Sequence, residues 1–224
     1  MAPPLVVVFD VNETLSDLAA LRRRCSSVGA PPGTVDLWLA GVLRDGIALA
    51  AVGDFATFTE IGRSLLVDLL RRESGVEADP AEAAEQVLAA FGHLDVHRDV
   101  PDGIHRLAEA GVRLVTLTNT SAALTEMLLA RAGLRDCFEL VLDVEPVRRW
   151  KPAPEPYLHA VDRANVQPHD AAMVAVHPWD VDGARRAGLV SAFLGRGHHY
   201  PAHLKPPEVR GSTLPEVAAA LLCR

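Results

Sequence analysis

The spacing of apolar and polar positions changes twice along this chain. Val6-Val7-Val8-Phe9 is a β-branched run that ends on an acid, Asp10, followed by Val11-Asn12-Glu13-Thr14-Leu15. A short run of this kind predicts a buried strand. From residue 16 the spacing becomes helical for about eighty residues, predicting helices near 16–27, 35–51, 55–73 and 80–92. Gly33-Thr34 precedes the second helix, Gly53-Asp54 the third, and Asp79-Pro80 starts the fourth with proline at the first helical position. Phe58, Ile61, Leu65, Leu66 and Leu69 form a stripe at helical spacing, the mark of a core-facing helix.

Beyond residue 96 helix and strand alternate. Helices are predicted at 101–110, 121–132, 154–164 and 180–187. They lead to strands at 112–117, 140–143, 172–176 and 190–194, and a closing helix lies near 214–222. Such alternation implies an α/β fold with a doubly wound, Rossmann-like parallel sheet. The opening strand belongs to that sheet. Residues 1–15 and 96–224 are therefore expected to form the core domain, with 16–95 as an inserted helical cap. A cap over the ligand edge of a sheet excludes water and completes a site.

The predicted strands deliver polar residues to one edge: Asp10, then Thr118-Asn119, then Trp150-Lys151-Pro152 after an irregular stretch, then His177-Pro178-Trp179-Asp180. In open parallel sheets that edge is where ligands bind, and convergence of several such groups marks a candidate active site. A carboxylate there can serve as a covalent nucleophile or cap a turn. A nearby ammonium would keep it ionised, and Lys151 is the only lysine before Lys205. The alternative is a solvated lysine before a proline-rich turn. Thr14, Thr118 and Asn119 can donate hydrogen bonds or serve as turn residues. Asp180 can activate water or cap helix 180–187.

Composition narrows the classes. The 224 residues are nearly half apolar and carry a net charge of −7, which argues against nucleic acid as the main partner. Arg22-Arg23-Arg24 reads as a solvated helix face. Cys25, Cys137 and Cys223 are odd in number and far apart, so neither a zinc site nor a disulfide framework is indicated, and a reducing cytoplasm is expected. No secretory signal and no run long enough to span a membrane is visible. His198, His199 and His203 look like a metal cluster but lack ligand spacing. His93, His97 and His105 read as structural. No Walker loop, GxGxxG or GxSxG is found.

The ordered set Asp10…Thr14, Thr118-Asn119, Lys151-Pro152 and Trp179-Asp180 resembles the haloacid dehalogenase superfamily over nearly the whole chain, including the place of the insertion. Lys151-Pro152 followed by Tyr157, and Trp179-Asp180 before Gly183-Ala184, are most similar to the type II L-2-haloacid dehalogenases. The resemblance implies that Asp10 displaces halide from a small 2-halo acid to form an ester. Water activated by Asp180 then hydrolyses that ester to a 2-hydroxy acid. Lys151 would hold Asp10, with Thr14 and Asn119 beside it, and no cofactor is implied. Substrate contacts are expected from Thr118, Asn12, Val11, Arg44, Trp38, Tyr157, His177 and Trp179. The partner is a small molecule, and pairing of two copies through cap or core helices is compatible with the resemblance.

The match has departures. Asn12 replaces an aromatic residue, Ala40 follows Trp38-Leu39 where the family places an arginine for halide, His177 replaces an asparagine, and Glu13 stands where glycine is common. Arg44, a helical turn further on, is the expected substitute for the missing arginine. The alternative is the superfamily's magnesium-dependent phosphatases. They place a second acid two residues after the nucleophile, where this chain has Asn12, and another where it has Ala175 and Val176. Asp182 is expected to face outward. A catalytically silent binding protein is the reading from a different class.

Overall fold

The structure is a computed structural model that describes residues 2–224. The opening apolar run forms β1 (Val6–Phe9), with all four side chains buried. It is followed by β2 (Ser16–Asp17), α1 (Ala19–Ser27), α2 (Thr34–Val52), α3 (Phe58–Arg71), α4 (Pro80–Leu88) and β3 (Asp95–Val96). The second half alternates through α5 (Val100–Glu109), β4 (Arg113–Thr118), α6 (Ala122–Arg131), β5 (Leu140–Asp143), α7 (Pro154–Arg163), β6 (Ala171–Ala175), α8 (Pro178–Arg186), β7 (Val190–Leu194), β8 (Val209–Gly211) and α9 (Leu214–Leu222).

The main sheet is wholly parallel, in the order β5-β4-β1-β6-β7-β8. Counted along the chain this is the 3-2-1-4-5-6 order of a doubly wound sheet, whose ligand crevice lies where the winding reverses. Here the reversal falls between β1 and β6, so the loops after Phe9 and Ala175 face each other. Period-2 alternation builds two cores from one strand: Val7 and Phe9 pack with Ile104, Leu107 and Leu214 on one face, Val6 and Val8 with Tyr157, Val161 and Val181 on the other.

The helices after β1 bury a third cluster, built on Trp38, Val42, Phe58, Leu66, Leu70 and Phe91. At the base of this insert, Ser16 and Asp17 pair antiparallel with Val96 and Asp95. The helix expected from residue 16 therefore begins at Ala19, because the entering and leaving chains pair first. Gly53, expected to lead into the third helix, instead ends α2 in the left-handed region. Thr57 and Glu60 form the capping box that starts α3. Asp79 caps α4 as its sequence suggests, accepting from the Ala81 and Glu82 amides. The short β8 adds a sixth strand to the five that the sequence predicts.

Candidate active site

The end of β1 carries the first of the converging groups. The Asp10 amide extends the ladder by donating to the Val174 carbonyl at 3.0 Å, which fixes the carboxyl over the crevice. One carboxylate oxygen, Oδ1, accepts from Lys151 Nζ at 2.9 Å. The other, Oδ2, accepts from the Thr14 hydroxyl at 2.6 Å. Thr14 Oγ1 in turn accepts from the Val176 amide at 3.0 Å, so the loops after β1 and β6 are tied through the partner of Asp10. Glu13 lies between them at φ +61°, a left-handed conformation in which a glycine would carry no Cβ penalty.

Lys151 is fully buried. An ammonium has three donors, and all three are used: Asp10 Oδ1, Asp180 Oδ2 at 2.7 Å and the Leu117 carbonyl at 2.8 Å. The Asn119 side chain fixes the lysine's backbone, accepting from its amide at 2.9 Å. Asp180, also fully buried, completes its set by accepting from the Tyr157 hydroxyl at 2.5 Å. Gly183 makes room for that pair, since a Cβ there would stand 2.7 Å from the Tyr157 hydroxyl.

Electrostatics separates the two carboxylates. Burial alone would raise Asp10, but Lys151, His177 and the Thr14 hydroxyl outweigh it and hold the group below its ordinary value of 3.8. Asp180 is pushed above that value, by burial first and by the Asp10 charge against the pull of Lys151. Burial works against the Lys151 charge, yet its two carboxylate partners keep its proton affinity above the ordinary value. Such splitting of a carboxylate pair distinguishes an ionised group from a proton acceptor.

Residues 5–188 match the family described as haloacid dehalogenase-like hydrolase. The chain belongs to that family. It is 27% identical over 195 residues to an (S)-2-haloacid dehalogenase of Pseudomonas sp. strain YL, covering 85% of this chain and 82% of that protein. It is 39% identical over 121 residues to a phosphoglycolate phosphatase of Nitrosospira multiformis, covering 54% and 51%. The fold superposes on the L-2-haloacid dehalogenase of Xanthobacter autotrophicus with a TM-score of 0.83 at 23% identity, over 98% of both chains.

Within this haloacid dehalogenase-like hydrolase the sequence-derived residues fall into two groups. Asp10, Thr14, Asn119, Lys151, Tyr157 and Asp180 form one hydrogen-bonded cluster. Thr118 is buried beside it and accepts from the Thr120 amide. Asn12 donates to the Thr120 hydroxyl at 2.5 Å, and its carbonyl lies 3.2 Å from His177 Nε2. His177 stacks on Trp179 with ring centroids 5.2 Å apart, and its Nε2 is 3.8 Å from Asp10 Oδ2. Val11 packs into the insert's apolar cluster.

Several expectations are corrected. Arg44 lies on an exposed face, paired with its neighbour Asp45 at 2.7 Å, so it does not replace the missing arginine here. Trp38 is fully buried in the insert and donates to the Gly62 carbonyl at 2.7 Å, a core role. Tyr157 is fully buried and gives its hydroxyl proton to Asp180, which places it behind the ion cluster. Asp180 does not cap its helix, which begins two residues earlier at Pro178 with His177 at the cap. Asp182 is buried between Arg185 and Arg186 and does not face outward.

Arg196, in the loop after β7, was not singled out by its sequence. Its guanidinium donates to the Thr14 carbonyl at 2.8 Å and to Asp99 at 2.7 Å, bracing the loop that follows Asp10. A cleft of about 540 Å³ opens there, with Glu13, His97, His177, Arg196, His198 and His199 on its walls. Only the glycines flanking Arg196 hint at a turn, and nothing local ties it to residue 14. Among the described residues no group of three or more His, Cys, Asp or Glu is placed to hold a metal ion. No helix of the described residues is long and apolar enough to cross a membrane.

Proposed function

We propose that this protein hydrolyses small 2-halo carboxylic acids to 2-hydroxy acids through an ester on Asp10, with residues 16–95 as a cap over the site. The observation that carries this reading is the Lys151 ammonium bonded at once to Asp10 and Asp180, one carboxylate kept ionised and the other raised toward proton uptake. Similarity to (S)-2-haloacid dehalogenases over most of the chain supports it.

An Asp10 carboxylate oxygen attacks C2 of the acid. The C–O bond forms as the carbon–halogen bond breaks, and the halide leaves with the bonding pair. Covalent catalysis thereby divides one difficult displacement into two steps. Water then adds to the carbonyl carbon of the ester while its proton passes to Asp180. Collapse of the adduct breaks the bond between the former carbonyl carbon and the ester oxygen that joins it to C2. The departing alkoxide takes the proton from Asp180 and leaves as the 2-hydroxy acid, and Asp10 returns to its carboxylate as the second proton of the attacking water passes to solvent. Thr14 orients Asp10 and Asn119 holds Lys151. Val11, Asn12, Thr118, His177 and Trp179 are the substrate contacts in this reading. The unpaired Cys25, Cys137 and Cys223 fit a reducing cytoplasm.

The phosphoglycolate phosphatase similarity over half the chain favours a second reading, a magnesium-dependent phosphatase. The donor set does not suit a hard cation, which takes several oxygen ligands. Both site carboxylates are engaged by Lys151, and residues 175 and 176 are alanine and valine. Halide release from 2-chloropropionate and fluoroacetate in EDTA, with Asp10→Asn as control, separates the two. Release that survives EDTA and disappears in the variant is expected. Silence toward every halo acid, with magnesium-dependent release of phosphate from phosphoglycolate, would overturn the proposal.

A further inference from the structure

The residue before Lys151 belongs to a different part of the molecule. Trp150 is fully buried, and its ring lies in the apolar cluster of the insert. It stacks on Phe58 at 6.2 Å with the planes 19° apart, and its Nε1 donates to the Ala56 carbonyl at 2.9 Å. On the α2 side the ring presses on Gly46, where a Cβ would lie 2.3 Å from Cδ2. Two residues earlier, the Arg148 guanidinium sits 5.0 Å over the Phe55 ring. The other side of the chain is held by Asn119 through the Lys151 amide. The backbone that carries the ammonium is thus gripped by the sheet edge on one side and by the insert on the other.

We propose that Trp150 is a positioning residue, a peg in the α2–α3 insert that sets where the Lys151 ammonium stands between Asp10 and Asp180. This rests on the role given to Lys151 in the aspartyl-ester reading. The peg is short: one peptide bond separates the indole-bearing residue from the lysine, so a shift of the ring moves the Lys151 backbone directly. Displacements near 1 Å at a reacting centre can cost about 10²-fold in rate. Gly46 belongs to the same device, because only a residue without Cβ lets α2 approach the indole this closely.

The test uses the whole chain and a readout independent of turnover: titration of the Asp10 carboxyl by carbon-13 NMR, with its signal identified by loss in Asp10→Asn. An ammonium moved away from Asp10 stabilises its charge less, so the midpoint must rise. Trp150→Ala and Gly46→Ala are each expected to raise it. The same variants should lower kcat for 2-chloropropionate by about 10²-fold with KM little changed. Leu66→Ala, in the same apolar cluster but about two helical turns beyond Phe58, on which Trp150 stacks, should lose stability and keep the wild-type midpoint. In the Trp150→Ala background Gly46→Ala should add nothing, since the ring it strikes is gone. If Trp150→Ala fails to fold, Trp150→Phe and Gly46→Ala carry the test. Wild-type Asp10 titration in the folded variants, or an equal shift in Leu66→Ala, would overturn the proposal. A wild-type protein inert toward halo acids would overturn the aspartyl-ester reading and leave the titration result standing.

Discussion

Two buried clusters sit side by side in this molecule and are built on opposite physics. At the sheet edge, Asp10, Lys151 and Asp180 are buried ionisable groups, with each Nζ donor and each carboxylate oxygen assigned to one partner. In the insert, Trp38, Phe58, Phe91 and Trp150 meet as rings with centroids 5.7 to 6.2 Å apart. The first cluster has no redundancy, because removal of one partner leaves a buried charge uncompensated. The second shares its contacts among many atoms, so a single change is felt as lost packing. The difference teaches where turnover should be sensitive to single substitutions: at the edge, and in the insert only at Trp150 and the Gly46 it presses on, which touch the lysine loop, whereas changes elsewhere in the insert should be felt as lost stability alone.

The sharpest way to break this contrast is Lys151→Met. It preserves the apolar stem but leaves two carboxylates facing each other without a cation. Turnover should vanish, and stability at neutral pH should fall by about 3–5 kcal/mol, measured by urea unfolding. A stable, active variant would show that the bridge is incidental.

Asp180→Asn tests the division of labour inside the edge cluster. It removes the proton acceptor and spares the nucleophile, so one equivalent of halide should be released in a burst. Steady-state turnover should fall by about 10²–10⁴-fold. Loss of the burst together with turnover would place Asp180 in the first step as well.

Acid pH should separate the same two steps without mutation. The raised proton affinity of Asp180 stops ester hydrolysis first, whereas Asp10, held low, goes on forming ester at lower pH. The burst should therefore outlast turnover as pH falls. The depressed Asp10 value contributes stability that is present above its unfolded value of 3.8 and is lost as pH falls through the folded value. Rapid-quench halide assays across the acid range check the order, and coincident loss of burst and turnover would refute it.

A matched pair of ring variants compares the clusters directly. Tyr157→Phe and Trp38→Phe each remove one buried donor from an aromatic side chain, against the Asp180 carboxylate and the Gly62 carbonyl respectively. Leaving either acceptor unpaired costs about 1–3 kcal/mol. Only Tyr157→Phe should also lower kcat, because its acceptor is Asp180, the group proposed to activate water.

How much of this was legible in the sequence divides along the same line. The edge was readable because a parallel sheet converts the ends of apolar runs into a shared location, so Asp10, Thr118, Asn119 and Asp180 could be grouped before any contact was known. The insert was less readable. Helical spacing places Trp38 and Arg44 along one helix, but which face meets the site depends on how α2 packs on α3 and on Trp150, a non-local matter. The two-residue strands at 16–17 and 95–96 are too short to show any period. Arg196 reaches Thr14 across 182 positions of chain, a contact that no local signal announces. Tyr157 is marked in the sequence only by the family resemblance, and its pairing with Asp180 is a matter of three-dimensional geometry.

Arg44 gives the smallest effect and the finest test of that division. Its guanidinium is exposed and bonded to the adjacent Asp45, a pairing of the kind that contributes little in water. Arg44→Ala should leave kcat/KM within about twofold, since an exposed ion pair between neighbours neither holds the insert nor reaches Asp10. A large rise in KM for 2-chloropropionate would mean that α2 turns toward the sheet edge when substrate binds. That outcome would erase the separation between a chemical edge and a structural insert. An unchanged KM would leave halide recognition to groups already at the edge, where His177 Nε2 lies 3.8 Å from Asp10 Oδ2 and its ring stacks on Trp179.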